Sequence, residues 1–130
     1  MSPDNSLQQR LGELCTGPDW PHIRVLEAAP EHCQLRLDVP PELTWFEGHF
    51  PEQPVLAGVV QVHWVGLLSE TVFGVATAFS HIDGLKFQRV ILPGQSLELQ
   101  MQYTAERHLV DFRYVDAQFK YSTGKMYFAG

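Results

Sequence analysis

The chain is short of charge, of cysteine and of long apolar runs, and each shortage excludes something. Charged residues make up 18% of its 130 positions, below the roughly 25% of an ordinary soluble protein, so part of the surface is expected to face another chain. Nine Lys and Arg against fifteen Asp and Glu give a formal charge of −6. With no run of basic residues, binding to a nucleic-acid backbone is excluded as the main activity. Cys15 and Cys33 are the two cysteines; they sit in no CxxC or Cys/His ligand pattern and read as free thiols in a reducing compartment. The opening MSPDNSLQQR is polar and has no signal-peptide core. The most apolar stretch, Val59 to Leu68, is interrupted by Gln61 and His63 and is shorter than the roughly 20 residues that span a bilayer. A cytoplasmic protein without a membrane span is expected.

What is present suits a single domain over residues 1–130, with 45% hydrophobic and 12% aromatic content. Leu7, Leu11 and Leu14 recur at helical spacing and predict a short amphipathic helix from Ser6 to Cys15, broken at Gly17-Pro18. The period then changes to two. Ile23 and Val25, then Leu35, Leu37 and Val39, alternate with polar residues until Pro40-Pro41. Alternation returns through Leu97, Leu99, Met101 and Tyr103, again through Phe112, Tyr114, Phe119 and Tyr121, and in a last short run around Met126 and Phe128. Between these blocks, Gly58 to about Phe73 is apolar on nearly every side of a helical wheel, as for a helix in the middle of a fold. The expected class is α+β, with one long central helix wrapped by a curved antiparallel sheet. Such a sheet leaves an edge and one helix side uncovered, which a dimer would close.

Of six histidines, His22, His32, His81 and His108 lie in strand or turn contexts without ligand spacing. His49 and His63 differ: one stands in a Gly-His-Phe-Pro turn before the apolar helix, the other is expected to face inward from its second turn. An ionisable ring in apolar surroundings is where acid–base chemistry is tuned.

The stretch Trp45-Phe46-Glu47-Gly48-His49-Phe50-Pro51-Glu52-Gln53-Pro54-Val55-Leu56-Ala57-Gly58-Val59 resembles the active-site segment of the 3-hydroxyacyl-(acyl-carrier-protein) dehydratases, hotdog-fold enzymes of fatty-acid synthesis. Downstream, Leu85-Lys86-Phe87-Gln88-Arg89-Val90-Ile91-Leu92-Pro93-Gly94 is similar to the strand and turn of the same family. The accessory type found with aryl-polyene pathways resembles the helix segment more than the housekeeping enzymes do. The resemblance implies a hotdog-fold lyase that eliminates water from a 3-hydroxyacyl thioester without metal or organic cofactor. It makes His49 the base that removes the C2 proton. Gly58 becomes the backbone N–H donor to the thioester carbonyl, where a helix N-terminus favours negative charge. Phe50, Val59, Trp64 and Phe87 are implied as acyl-binding residues, with Phe79 also on the tunnel.

The sequence departs from the pattern at the acid. Fourteen positions after His49 the family has a carboxylic acid, and this chain has His63; an imidazolium can donate a proton near neutrality. Glu70, seven residues further, is about 10 Å along the helix and too far to substitute directly. The family assembles as dimers in which the two catalytic residues come from different protomers, so His49 and His63 are expected to meet across a homodimer or higher even oligomer. Acyl carrier protein is the implied partner. Because it is acidic and this chain is too, Arg89 and Lys86, with Lys120 and Lys125, are the expected docking cations. Two alternatives stay open on the same fold: an acyl-thioester hydrolase, and a non-catalytic acyl-binding partner that has lost the acid.

Overall fold

Alternation in the sequence becomes pleat: Leu35, Leu37 and Val39 are buried while Arg36 between them is exposed. The computed structural model describes residues 3–46, 54–75 and 78–129. Six strands, β1 (His22–Ala29), β2 (His32–Asp38), β3 (Phe79–Phe87), β4 (Ser96–Thr104), β5 (Leu109–Val115) and β6 (Lys120–Phe128), form one sheet in the order β1-β2-β4-β5-β6-β3. Every pairing is antiparallel. Among the described residues two α-helices accompany it, α1 (Pro3–Leu14) and α2 (Gly58–Phe73). The expected α+β class holds; α2 lies where the periodicity puts it, whereas α1 begins three residues before the expected Ser6 and ends one before Cys15. Gly74 ends α2 in the left-handed region at φ 69°, a conformation that favours glycine, and its N–H bonds back to Glu70 O.

The second half differs from expectation in one place. The runs around Tyr121 and around Met126 are one continuous strand, β6, and Phe119 lies in the turn before it rather than in a strand. The signal is hidden because two inward positions of β6 carry small residues: Ser122 and Gly124 are buried opposite Tyr114 and Phe112. A Cβ on Gly124 would come 2.9 Å from the Phe112 ring, so glycine is required by the ring lying over it. The register also shifts between Tyr114 and Val115, leaving Tyr121 and Ser122 both buried and breaking the period of two.

One core joins the sheet to α2 through Leu35, Leu99, Met101, Phe112, Val60 and Leu68. Helix α1 adds Leu7 and Leu11, both buried. It also seals one sheet edge. The Gln8 side chain donates from Nε2 to Ile23 O (2.9 Å) and accepts at Oε1 from Val25 N (2.7 Å), so an amide pairs with β1 much as another strand would. The opposite edge, β3, is not treated this way. All of its residues are exposed except half-buried Ile82, and Phe79 and Phe87 are 55% and 52% accessible.

Helix α2 is less enclosed than its composition suggests. Val60, Trp64, Val65 and Leu68 face the core, whereas Val59 (75% accessible), His63 and Glu70 are exposed and Val62, Gly66 and Leu67 half-buried. The inward orientation expected for His63 is thus corrected: in the single chain it lies on the open face. Among the described residues, no helix is long and apolar enough to cross a membrane.

Candidate active site

The site begins where the chain enters α2. Ala57 is extended (φ −62°, ψ 145°) and its carbonyl accepts from Val60 N and Gln61 N at 3.1 and 3.3 Å. Gly58 opens the first turn, and its N–H and that of Val59 come too early for a helical carbonyl to accept them. The approach is fixed from the side: Leu56 N donates to Ile91 O at 2.8 Å, and Gln88 N and Arg89 N both donate to Tyr121 O. The two sequence motifs therefore adjoin, the second buttressing the entrance to the helix that follows the first. Phe87 rests directly on Gly58, where any Cβ would run into its ring.

Along the open face of α2 runs a cleft of about 290 Å³ whose lining includes His63, Leu67, Glu70, Phe79, Met126 and Phe128. His63 and Glu70 are its two ionisable groups, two turns apart on one helix face. A larger groove of about 600 Å³ lies on the outer face of the sheet, with Arg36, Glu98, Gln100 and Arg113 among its lining. Residues of α2 take no part in it, so the smaller, more apolar cleft is the one tied to the candidate chemistry.

His63 and Phe79 thus meet in one cleft. Trp64 is turned the other way: it is 1% accessible, its ring stacks on Trp20 at 6.2 Å, and its indole N–H donates to Asp19 O. His49 and Phe50 lie outside the described residues. Val59 stands exposed on the first turn of α2, beside Gly58.

Arg89 is exposed, with its guanidinium 3.6 Å from the centre of the Phe119 ring. Phe119 is held by a turn whose centre is Asp116: that carboxylate accepts from Gln118 N and Phe119 N, each at 2.8 Å, and from the Tyr121 hydroxyl. Tyr121 also receives the Gln95 amide. Lys86, Lys120 and Lys125 are exposed on the neighbouring strands β3 and β6. The Tyr121 hydrogen bond, then the two backbone N–H groups, hold the Asp116 carboxyl below its ordinary value, with a smaller contribution from Arg89. Since the folded value is the depressed one, the turn's stabilisation is complete above about pH 4 and is lost as pH falls towards the folded value. Asp116→Asn is expected to flatten acid unfolding in that window; a curve superimposable on the original contradicts the assignment.

Sequence reasoning passed over Gln61, Tyr114 and Ser122, which join α2 to the sheet beneath the site. The available signal was a glutamine inside an otherwise apolar run. Burial pushes the Tyr114 phenol far up, so it stays protonated as a donor.

Residues 26–125 match the ApeI-like family, described as ApeI dehydratase. The chain belongs to this family. The ApeI-like assignment agrees with the structure of the dehydratase heterocomplex ApeI:P from Xenorhabdus doucetiae, which is 35% identical and superposes with a TM-score of 0.79 over 85% of this chain and 98% of that one. A curated relative, the 3-hydroxyacyl-(acyl-carrier-protein) dehydratase FabZ of Cupriavidus metallidurans, is 37% identical over 99 residues, 66% of this chain and 63% of the relative. The chain spans about half the length of the curated relatives it matches. Thioesterase superfamily member 2 from Mus musculus, 10% identical with a TM-score of 0.72 over 97% and 96% of the two chains, shares the fold alone. The hotdog fold and the dehydratase family expected from the two motifs are both shown.

Proposed function

We propose that this ApeI-like protein is a dehydratase that removes water from a 3-hydroxyacyl chain carried as a thioester on acyl carrier protein. The observation that carries the reading is the arrangement of α2, with Gly58 at its N-terminus and His63 on the face that lines an apolar cleft. His49 takes the C2 proton, and the electrons move onto the thioester oxygen, where the Gly58 N–H and the positive end of the helix meet the developing charge. The C3–O bond then breaks and the hydroxyl leaves as water with a proton from the His63 imidazolium, giving the 2-enoyl thioester. Conversion of a 3-hydroxyacyl thioester to its 2-enoyl product by the purified protein supports this reading. Absence of turnover on every chain length tried, under conditions where a related dehydratase works, refutes it.

The Gly58 position offers a separate check. Alanine is the better helix former by about 0.5–1 kcal/mol, and the ring it displaces, Phe87, is half in solvent and can swing away. Gly58→Ala is therefore expected to keep its thermal midpoint within a few degrees while losing roughly tenfold in kcat as the donor is crowded. A drop in the midpoint with unchanged kcat contradicts the role.

The exposed β3, paired with β6 on one side and with no strand beside it on the other among the described residues, supports assembly into a homodimer that continues the sheet and covers the open face of α2. A dimer mass by analytical ultracentrifugation is expected, and a strictly monomeric active protein overturns it. The ApeI:P structure is described as a heterocomplex, so mixing with a second dehydratase chain is the natural control. Carrier docking is assigned to Arg89 and Lys86 beside the helix entrance. The thioesterase-like relatives by fold motivate one alternative, hydrolysis, recognised by thiol release from an acyl thioester lacking the 3-hydroxyl. A non-catalytic acyl-binding partner would show no turnover before or after His63→Glu.

A further inference from the structure

Helix α2 buries two polar side chains, and they are satisfied in different ways. Ser69 bonds within the helix, its hydroxyl to Val65 O at 2.7 Å, which any apolar helix tolerates. Gln61 is 3% accessible and reaches out of the helix in two directions. Its Nε2 donates to Leu56 O at 3.1 Å, in the segment that leads into the helix. Its Oε1 accepts from the Ser122 hydroxyl at 2.6 Å, on the sheet. Its backbone carbonyl accepts from the Tyr114 hydroxyl at 2.7 Å. Tyr114 and Ser122 are cross-strand partners on β5 and β6 and both are fully buried.

A primary amide taken out of water costs several kcal/mol unless it is bonded, and a leucine here would pack without that cost. The amide is spent on one location. Leu56 precedes Gly58 by two residues, and its N–H is already fixed to Ile91 O. With both its carbonyl and its N–H held, the peptide planes that hand the chain from Leu56 through Ala57 into Gly58 are referenced to the sheet rather than to the helix alone.

We propose that Gln61 is a positioning residue that aims the Gly58 N–H at the substrate carbonyl oxygen by clamping Leu56 O to Ser122. The inference rests on the reading of Gly58 as the carbonyl donor. Catalytic hydrogen bonds demand placement within about 0.5 Å and 10–20°, and a misplacement of about 1 Å costs on the order of a hundredfold.

Two variants remove the amide while keeping apolar volume, Gln61→Leu and Gln61→Met, the second more adaptable in case the first does not fold. Ser69→Ala is the control: an equally buried hydroxyl on the same helix, remote from the entrance. Two readouts are needed. In turnover, the Gln61 variants are expected to lose about tenfold in kcat with KM within about twofold, whereas Ser69→Ala leaves both unchanged. In binding, the probe is an unsubstituted acyl thioester of pantetheine, which has no 3-hydroxyl to lose. Its carbonyl stretch, read by isotope-edited infrared spectroscopy, should shift to lower frequency on the wild-type protein. That shift should vanish on the Gln61 variants at similar affinity.

A wild-type shift that disappears with Gln61 supports the clamp whether or not the protein dehydrates, because binding alone reports it. A shift that persists in both folded variants, or that is absent from the wild type, overturns it. Failure of the dehydratase reading is seen separately, as absent turnover with the Gln61-dependent shift intact.

Discussion

His49→Ala is expected to lower kcat/KM for dehydration of a 3-hydroxyacyl thioester by about 10²–10⁴-fold, the range a positioned general base supplies. The C2 proton of a thioester is only weakly acidic, so it leaves at a useful rate only when a base stands within hydrogen-bond reach and the carbonyl oxygen is met by a donor. The family resemblance gives His49 the first task and Gly58 the second. Removing the imidazole leaves the donor in place, so binding of an acyl thioester should persist while proton removal collapses. The measurement is the pair of constants. Loss confined to kcat with the thermal midpoint preserved is the expected outcome, and wild-type turnover by the variant sinks the assignment.

The second large effect concerns stability. Trp64→Ala is expected to cost about 3–5 kcal/mol, the usual range for deleting a large buried ring. The side chain is almost wholly enclosed, stacked on Trp20 and bonded through its indole N–H to Asp19 O. Against the roughly 5–15 kcal/mol that holds an ordinary domain together, this is a large share. Its neighbour in sequence is expected to behave oppositely. His63 is on the open face, so His63→Ala should move stability far less and turnover far more. Chemical denaturation and kinetics on the two variants give the comparison. Equal loss of stability at both positions contradicts the view that α2 divides into a structural and a reactive side.

Helical and strand periodicity made most of the architecture legible, because Leu7 and Leu11, or Leu35, Leu37 and Val39, repeat at the period of the element they occupy. Where the sequence misled, tertiary packing had replaced the usual residue. Gly124 breaks the apolar pattern of β6 because the Phe112 ring occupies the space of its side chain. The helix face bearing His63 read as buried because its neighbours are valine and leucine. In the single chain those residues border a cleft instead. The family was legible through two motifs in the right order, and the structure explains their pairing, since Leu56 and Ile91 are hydrogen-bonded neighbours. Gln61 was not legible in its role, for periodicity weighs polarity at a position and is blind to a bond made with Ser122, 61 residues away.

The unequal edges of the sheet bear on how the molecule grows. An extended array needs two adhesive ends, one to add to and one to be added. Among the described residues, the β1 end is stoppered by the Gln8 amide, whereas β3 has no further strand beside it. Strand-to-strand association through β3 would consume both available ends in its first step and then halt. Such an arrangement would favour a closed pair over a fibre, and weakening the stopper with Gln8→Ala is the change that would put that restraint at risk.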